Sequence, residues 1–266
     1  MNRNPLFHPL HRFAIFWSLL LLAALAHGEA SFSVVDIPTR PNVTQRLLVL
    51  APQNPKAAVV LFAGGNGGLQ IASDGSFGWG KGNFLVRSRQ LFVDRGLLTV
   101  IIDAPSDRQN LAGFRQTSEH VADIKAVIAW VRGQSRIPVW LVGTSRGTQS
   151  AAYAAVQLNA EGGPDGLVLT SSILSDPKST PLPSMRLDRI TAPVLVVHHE
   201  LDGCKHCSFS DISLLMRGLE KSSRTALLSF RDGQSQGDPC EAFAYHGFNG
   251  IEEPVVAQIA DWILAK

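Results

Sequence analysis

The sequence predicts an α/β fold: a mostly parallel central sheet, an antiparallel N-terminal hairpin and helices on both faces. Three observations predict it. Apolar runs of strand length recur along the chain, such as Ala57-Ala58-Val59-Val60-Leu61-Phe62-Ala63 and Val194-Leu195-Val196-Val197. These runs are continuous and do not alternate with polar residues, as expected of strands covered on both sides. Segments with apolar residues at helical spacing fall between them, which is the pattern of strand–helix–strand units in a parallel sheet.

The elements follow in order. Residues 34–36 and 47–50 read as short strands around a turn at Pro41-Asn42, an antiparallel hairpin at the edge of the sheet. Residues 57–63 are a buried strand. Residues 83–95 read as a helix, with Phe84, Leu85, Leu91 and Phe92 as its apolar face. Residues 97–103 form the next strand. The helix over 118–133 places Val121, Ile124, Ile128 and Val131 on one side. A strand over 137–142 leads into a small-residue helix over 148–158. Strands over 166–170, 194–198 and 225–230 follow, and residues 252–266 close the chain as a helix through Val255, Ile259 and Ile263.

Composition bounds the function classes. The 266 residues suit one α/β domain, here 31–266. At 45% hydrophobic and 17% charged, the chain can bury a large core. The formal net charge is +2, without a basic stretch or an acidic tail, so nothing argues for nucleic acid or an anionic membrane surface. Residues 1–30 read as a signal peptide. Arg3 and Arg12 give a positive leader, residues 13–26 are apolar, and small residues near 26–30 offer cleavage positions. That apolar run is too short to span a bilayer comfortably, so no stable membrane span is expected after processing. Export implies a periplasmic or secreted protein in an oxidising compartment.

The pentapeptide Gly143-Thr144-Ser145-Arg146-Gly147 stands between the strand and the small-residue helix. A G-x-S-x-G turn in that position lifts the serine hydroxyl clear of the sheet. Glycine is needed where strand and helix nearly touch. Downstream lie Asp202, after an apolar strand, and His246, on the loop before the last helix. Upstream, Gly64-Gly65-Asn66-Gly67-Gly68 follows an early strand. With these residues the chain resembles the α/β-hydrolase superfamily, in particular cap-less serine esterases of dienelactone-hydrolase-like size. The resemblance covers roughly residues 31–266.

The resemblance implies a fold and a set of roles. The fold is the α/β-hydrolase fold. Ser145 is the candidate nucleophile, His246 the base that takes its proton and Asp202 the acid that orients the imidazole. Asp176, after the preceding strand, is the rival acid. The oxyanion hole needs two backbone N–H groups. One is expected from Arg146, the other from Gly65 or Asn66. Relatives usually carry a histidine at the strand end where this chain has Ala63. His198 and His199 end a strand and either line the site or pack there. Only 21 residues, 171–191, separate the acid strand from the strand before it, so no helical cap fits. The pocket is therefore open, with Phe77 and Trp79 as candidate flanks.

Three cysteines are present: Cys204, Cys207 and Cys240. A Cys204–Cys240 bridge would tie the acid loop to the base loop. Cys204–Cys207 is the rival pairing. The Cys204-Lys205-His206-Cys207 run lacks a second ligand pair at zinc spacing, and export favours oxidation. The G-x-x-x-x-G-K run over 75–81 is followed by Gly82 instead of Ser or Thr, which argues against a phosphate loop. No metal or organic cofactor is expected.

The sequence thus points to an exported serine hydrolase acting on carboxylic esters, with a small molecule or an exposed ester as substrate. The alternatives are an amidase or peptidase with the same triad, and a non-catalytic binding protein on a hydrolase scaffold. The sequence leaves the oligomeric state and the acyl-chain preference open.

Overall fold

The computed structural model describes Met1 and residues 31–159 and 162–265. The expected signal peptide, apart from Met1, lies outside the described residues. The chain begins with a hairpin of β1 (Ser31–Arg40) and β2 (Val43–Ala51). Its turn falls at Pro41-Asn42, as the sequence predicts. Asn42 takes φ 59°, a left-handed conformation that Asn tolerates well. Both strands are longer than their apolar residues suggested. β1 has a sheet neighbour on one side only, so its polar residues extend the pairing without being buried.

Then follow β3 (Ala57–Phe62), α1 (Phe84–Arg87), α2 (Arg89–Asp94), β4 (Leu97–Pro105), α3 (Ser118–Gln134), β5 (Val139–Thr144) and α4 (Arg146–Leu158). The chain closes with β6 (Gly166–Thr170), β7 (Val194–His199), α5 (Ile212–Gly218), β8 (Thr225–Phe230) and α6 (Glu252–Leu264). The single helix expected over 83–95 is two. At Ser88 the ladder breaks, and Leu91 N–H bonds the Ser88 carbonyl, one residue nearer than an α-helix requires. α5 has no counterpart in the sequence reading. Its seven residues bury only Ile212 and Leu215, too few to show a helical period.

The eight strands form one sheet in the order β1-β2-β4-β3-β5-β6-β7-β8. β1 with β2 and β2 with β4 run antiparallel; every other pair is parallel. The strand residues divide between two cores. In β3, Ala58, Val60 and Phe62 face α3, α4 and α5, while Ala57, Val59 and Leu61 face α1, α2 and α6. This explains the unbroken apolar runs: each side chain is buried, whichever face it takes. Val255, Ile259 and Ile263 seat α6, each contributing about 1.5–3 kcal/mol when fully buried. No described helix is long and apolar enough to cross a membrane.

Thr117 caps α3, its hydroxyl accepting the His120 N–H at 3.2 Å. The His120 ring is fully buried and lies 3.0 Å from Ser150 Oγ on α4. Burial, and then the positive charge of Arg115, push its pKa down from 6.5 to about 3. The unfolded chain therefore binds a proton here that the folded chain refuses. Stability is expected to fall as pH drops from about 6.5 toward 3, by about 1.4 kcal/mol per pH unit from this group. Urea unfolding at stepped pH checks it: His120→Gln should flatten that slope, and an unchanged slope would contradict it.

Candidate active site

β5 and α4 meet at the elbow. Ser145 takes φ 52° and ψ −126°, a strained conformation for a residue with a side chain. A Cβ on Gly143 would lie 2.5 Å from the Gly147 carbonyl oxygen, and one on Gly147 2.0 Å from that of Phe62. Both flanking positions therefore exclude any larger residue. Buried Ala151, Ala152, Ala154 and Ala155 let α4 run close along the sheet. The carbonyl of Thr170 accepts the Ser145 N–H at 3.0 Å, and the Thr148 hydroxyl bonds the Ser145 carbonyl at 2.6 Å.

The loop after β7 carries Asp202, and a short helical turn, Tyr245–Gly247, carries His246. His246 Nδ1 donates to Asp202 Oδ2 at 2.8 Å, with both side chains buried. Asp202 Oδ1 accepts the Cys204 N–H at 2.9 Å. The Ser171 hydroxyl holds the His246 carbonyl at 2.7 Å. These bonds leave His246 Nε2 buried and without a partner. It belongs to the same cavity as Ser145.

Asp176 is engaged elsewhere. It pairs with Arg146 Nη1 at 2.7 Å and accepts from the Ser179 hydroxyl and the Lys178 N–H. Burial pushes its pKa up, but these donors outweigh it and hold the carboxyl well below the usual range. Glu200 turns to Ser229 and Arg231. The other two strand-end histidines pack. His198 Nε2 donates to the Cys207 carbonyl at 2.7 Å, and burial holds its pKa below the usual value. His199 donates to the Asp232 carbonyl and stacks on Tyr245 at 4.4 Å.

Gly64 and Gly65 line the same cavity as Ser145 and Arg146, a space of about 440 Å³. The N–H groups of Gly65, Asn66 and Arg146 make no hydrogen bond among the described residues. Trp79, Phe243, Ala242 and Cys240 form further wall. Phe77 does not reach it. It is buried beneath the Arg89 guanidinium, 5.2 Å from its ring centroid, so its place as a flank is corrected.

No protein-family model matches the sequence, and no curated protein matches it. Solved structures do match. A cold-adapted esterase from an Arctic intertidal metagenomic library superposes with TM-score 0.61 at 16% identity, over 89% of this chain and 96% of that one. Dienelactone hydrolase from Anabaena variabilis gives TM-score 0.60 at 13% identity, over 88% and 97%. A lidless α/β serine hydrolase from Xanthomonas campestris gives 0.56 at 16%, over 90% and 97%. The chain has the α/β-hydrolase fold.

This α/β-hydrolase fold has no cap. Between β6 and β7 stand only two short helical turns, Leu182–Ser184 and Leu187–Arg189. The wall that a cap would supply comes partly from residues 240–243. Sequence reasoning missed that wall, because only Cys240 carried a signal there.

Cys204 and Cys240 form the disulfide, leaving Cys207 free and buried. Ligand atoms of Cys204, Cys207 and His246 lie within 4.8 Å of one another. In the disulfide, Cys204 has no thiolate to offer a metal, and burial pushes the Cys207 thiol up. The bridge spans a sequence separation of 36 and joins the acid loop to the segment before the base. Cys240→Ser is expected to remove about 3–4 kcal/mol of stability on the chain-entropy model. Guanidinium unfolding of wild type and variant checks this; equal midpoints would mean the bridge does not constrain the chain.

Proposed function

We propose that this protein is an exported serine hydrolase that cleaves carboxylic esters through an acyl-enzyme. One observation carries the reading: the 2.8 Å Asp202–His246 bond leaves His246 Nε2 unpartnered in the cavity that Ser145 enters on a strained turn. Ser145 Oγ attacks the acyl carbon while His246 Nε2 takes its proton. Asp202 fixes the tautomer and stabilises the imidazolium. The N–H groups of Arg146 and of Gly65 or Asn66 receive the oxyanion. His246 returns the proton to the leaving alcohol. Water then repeats the sequence and frees the acid. Apart from that water, every step uses side chains and backbone N–H groups of this chain.

The open cavity, with Trp79 and Phe243 exposed at its wall, supports small esters or an ester carried on a larger molecule. Export is supported by the leader-like residues 1–30 and by the disulfide. The test is a p-nitrophenyl ester series from acetate to laurate on purified protein, together with fluorophosphonate labelling. Turnover of the short esters and a label on Ser145 are expected. No turnover of any ester and no label would refute the reading.

A further inference from the structure

The glycine turn after β3 has a second neighbour, the guanidinium of Arg115. This side chain sits on the loop between β4 and α3 and is 6% exposed. Among the described residues no carboxylate pairs with it. Its donors go to neutral oxygens instead: Nη2 to the Ala63 carbonyl at 3.0 Å and the Gly65 carbonyl at 3.2 Å, Nη1 to Ser150 Oγ at 2.9 Å. Burying an unpaired cation is expensive, so these bonds need to be good ones.

Their placement is informative. The Ala63 carbonyl belongs to the peptide unit shared with Gly64, and the Gly65 carbonyl to the unit shared with Asn66. Between them lies one more unit, and it carries the Gly65 N–H. Peptide units are rigid planes, so only the dihedrals of Gly64 and Gly65 connect the three. Those are the two residues least able to fix their own backbone, and Gly65 stands at φ 57°. One nitrogen of Arg115 holds both outer planes. The other reaches Ser150 in the second turn of α4, whose first residue is Arg146. A single planar group therefore ties both expected oxyanion donors to one frame. Arg115 also lines a second cavity, which shares only Gly65 and Arg146 with the first.

We propose that Arg115 is a positioning residue of the oxyanion site, holding the Gly65 N–H in fixed relation to the Arg146 N–H. The proposal rests on the esterase reading above for its catalytic consequence, but not for its structural one. Arg115→Met is expected to lower kcat by roughly 10–100-fold, somewhat less than removal of a donor itself. KM should stay within about threefold, because the turn acts on the transition state more than on the bound ester. Affinity for an alkylboronic acid, which forms a tetrahedral adduct on Ser145, should fall by the same factor as kcat. Amide hydrogen exchange over residues 63–68 should quicken. Arg115→Lys, which keeps the charge but not the fork, should fall between, and millimolar guanidinium should partly rescue Arg115→Ala.

A lower melting temperature with kcat, boronate affinity and 63–68 exchange all unchanged would make Arg115 a core filler and overturn the proposal. If Arg115→Met does not fold, Arg115→Lys and Ser150→Ala carry the same readouts, and wild-type values in both would overturn it. If the wild type neither turns over esters nor binds the boronate, the esterase reading fails. The exchange measurement then still decides whether Arg115 orders the turn.

Discussion

Ser145→Ala is expected to lower ester turnover by between roughly 10³ and 10⁶ while leaving the fold intact. The strained elbow and its neighbours Gly143 and Gly147 are unaffected by loss of one hydroxyl. The alanine inherits the same backbone strain, so stability should stay within about 0.5 kcal/mol. What remains would come from the oxyanion donors and binding alone. Steady-state kinetics on a short p-nitrophenyl ester, with a melting curve for each protein, decide it. A variant that keeps wild-type kcat would place the nucleophile elsewhere.

Asp202→Asn is expected to lower kcat by roughly 10⁴. An asparagine that donates its amide to Nδ1 leaves the proton on Nε2, and a protonated Nε2 cannot accept from Ser145. His198 does not rescue this. It lies 3.8 Å from Asp202, and its own Nε2 is committed to the Cys207 carbonyl. Asp176→Asn is the control. It disturbs the Arg146 and Ser179 contacts, with an expected loss of activity below about tenfold. Measuring kcat for the two variants side by side tests which carboxylate serves the base. A larger loss in Asp176→Asn than in Asp202→Asn would reverse the assignment.

Much of the architecture is legible in the sequence. Residues 57–63 and 194–197 are apolar at every position, and 97–102 at every position but Thr99, and that pattern has one economical explanation, a parallel sheet sandwiched by helices. Helix α3 announces itself through Val121, Ile124, Ile128 and Val131. Where the reading missed, the signal was local in origin and weak. α5 is too short for a period, the 83–95 helix breaks at Ser88 without a Gly or Pro to mark it, and Phe77 is an aromatic in a loop like Trp79 but turns inward.

The sequence by itself determined the fold class, the elbow and the short set of carboxylates, histidines and cysteines from which a site could be drawn. Only the tertiary structure shows which of them meet. Asp176 and Asp202 both follow sheet strands; the resemblance put Asp202 first, and the fold shows it facing His246. Cys204 could meet Cys207 or Cys240, and three-dimensional proximity chose Cys240. Arg115 looks like any loop arginine until its guanidinium is seen against the carbonyls of Ala63 and Gly65. The physical reason is the same in each case. Burial leaves a periodic trace along the chain, because every turn of helix or pleat of strand repeats it. A hydrogen bond or a disulfide between distant loops involves single residues, and one residue has no period.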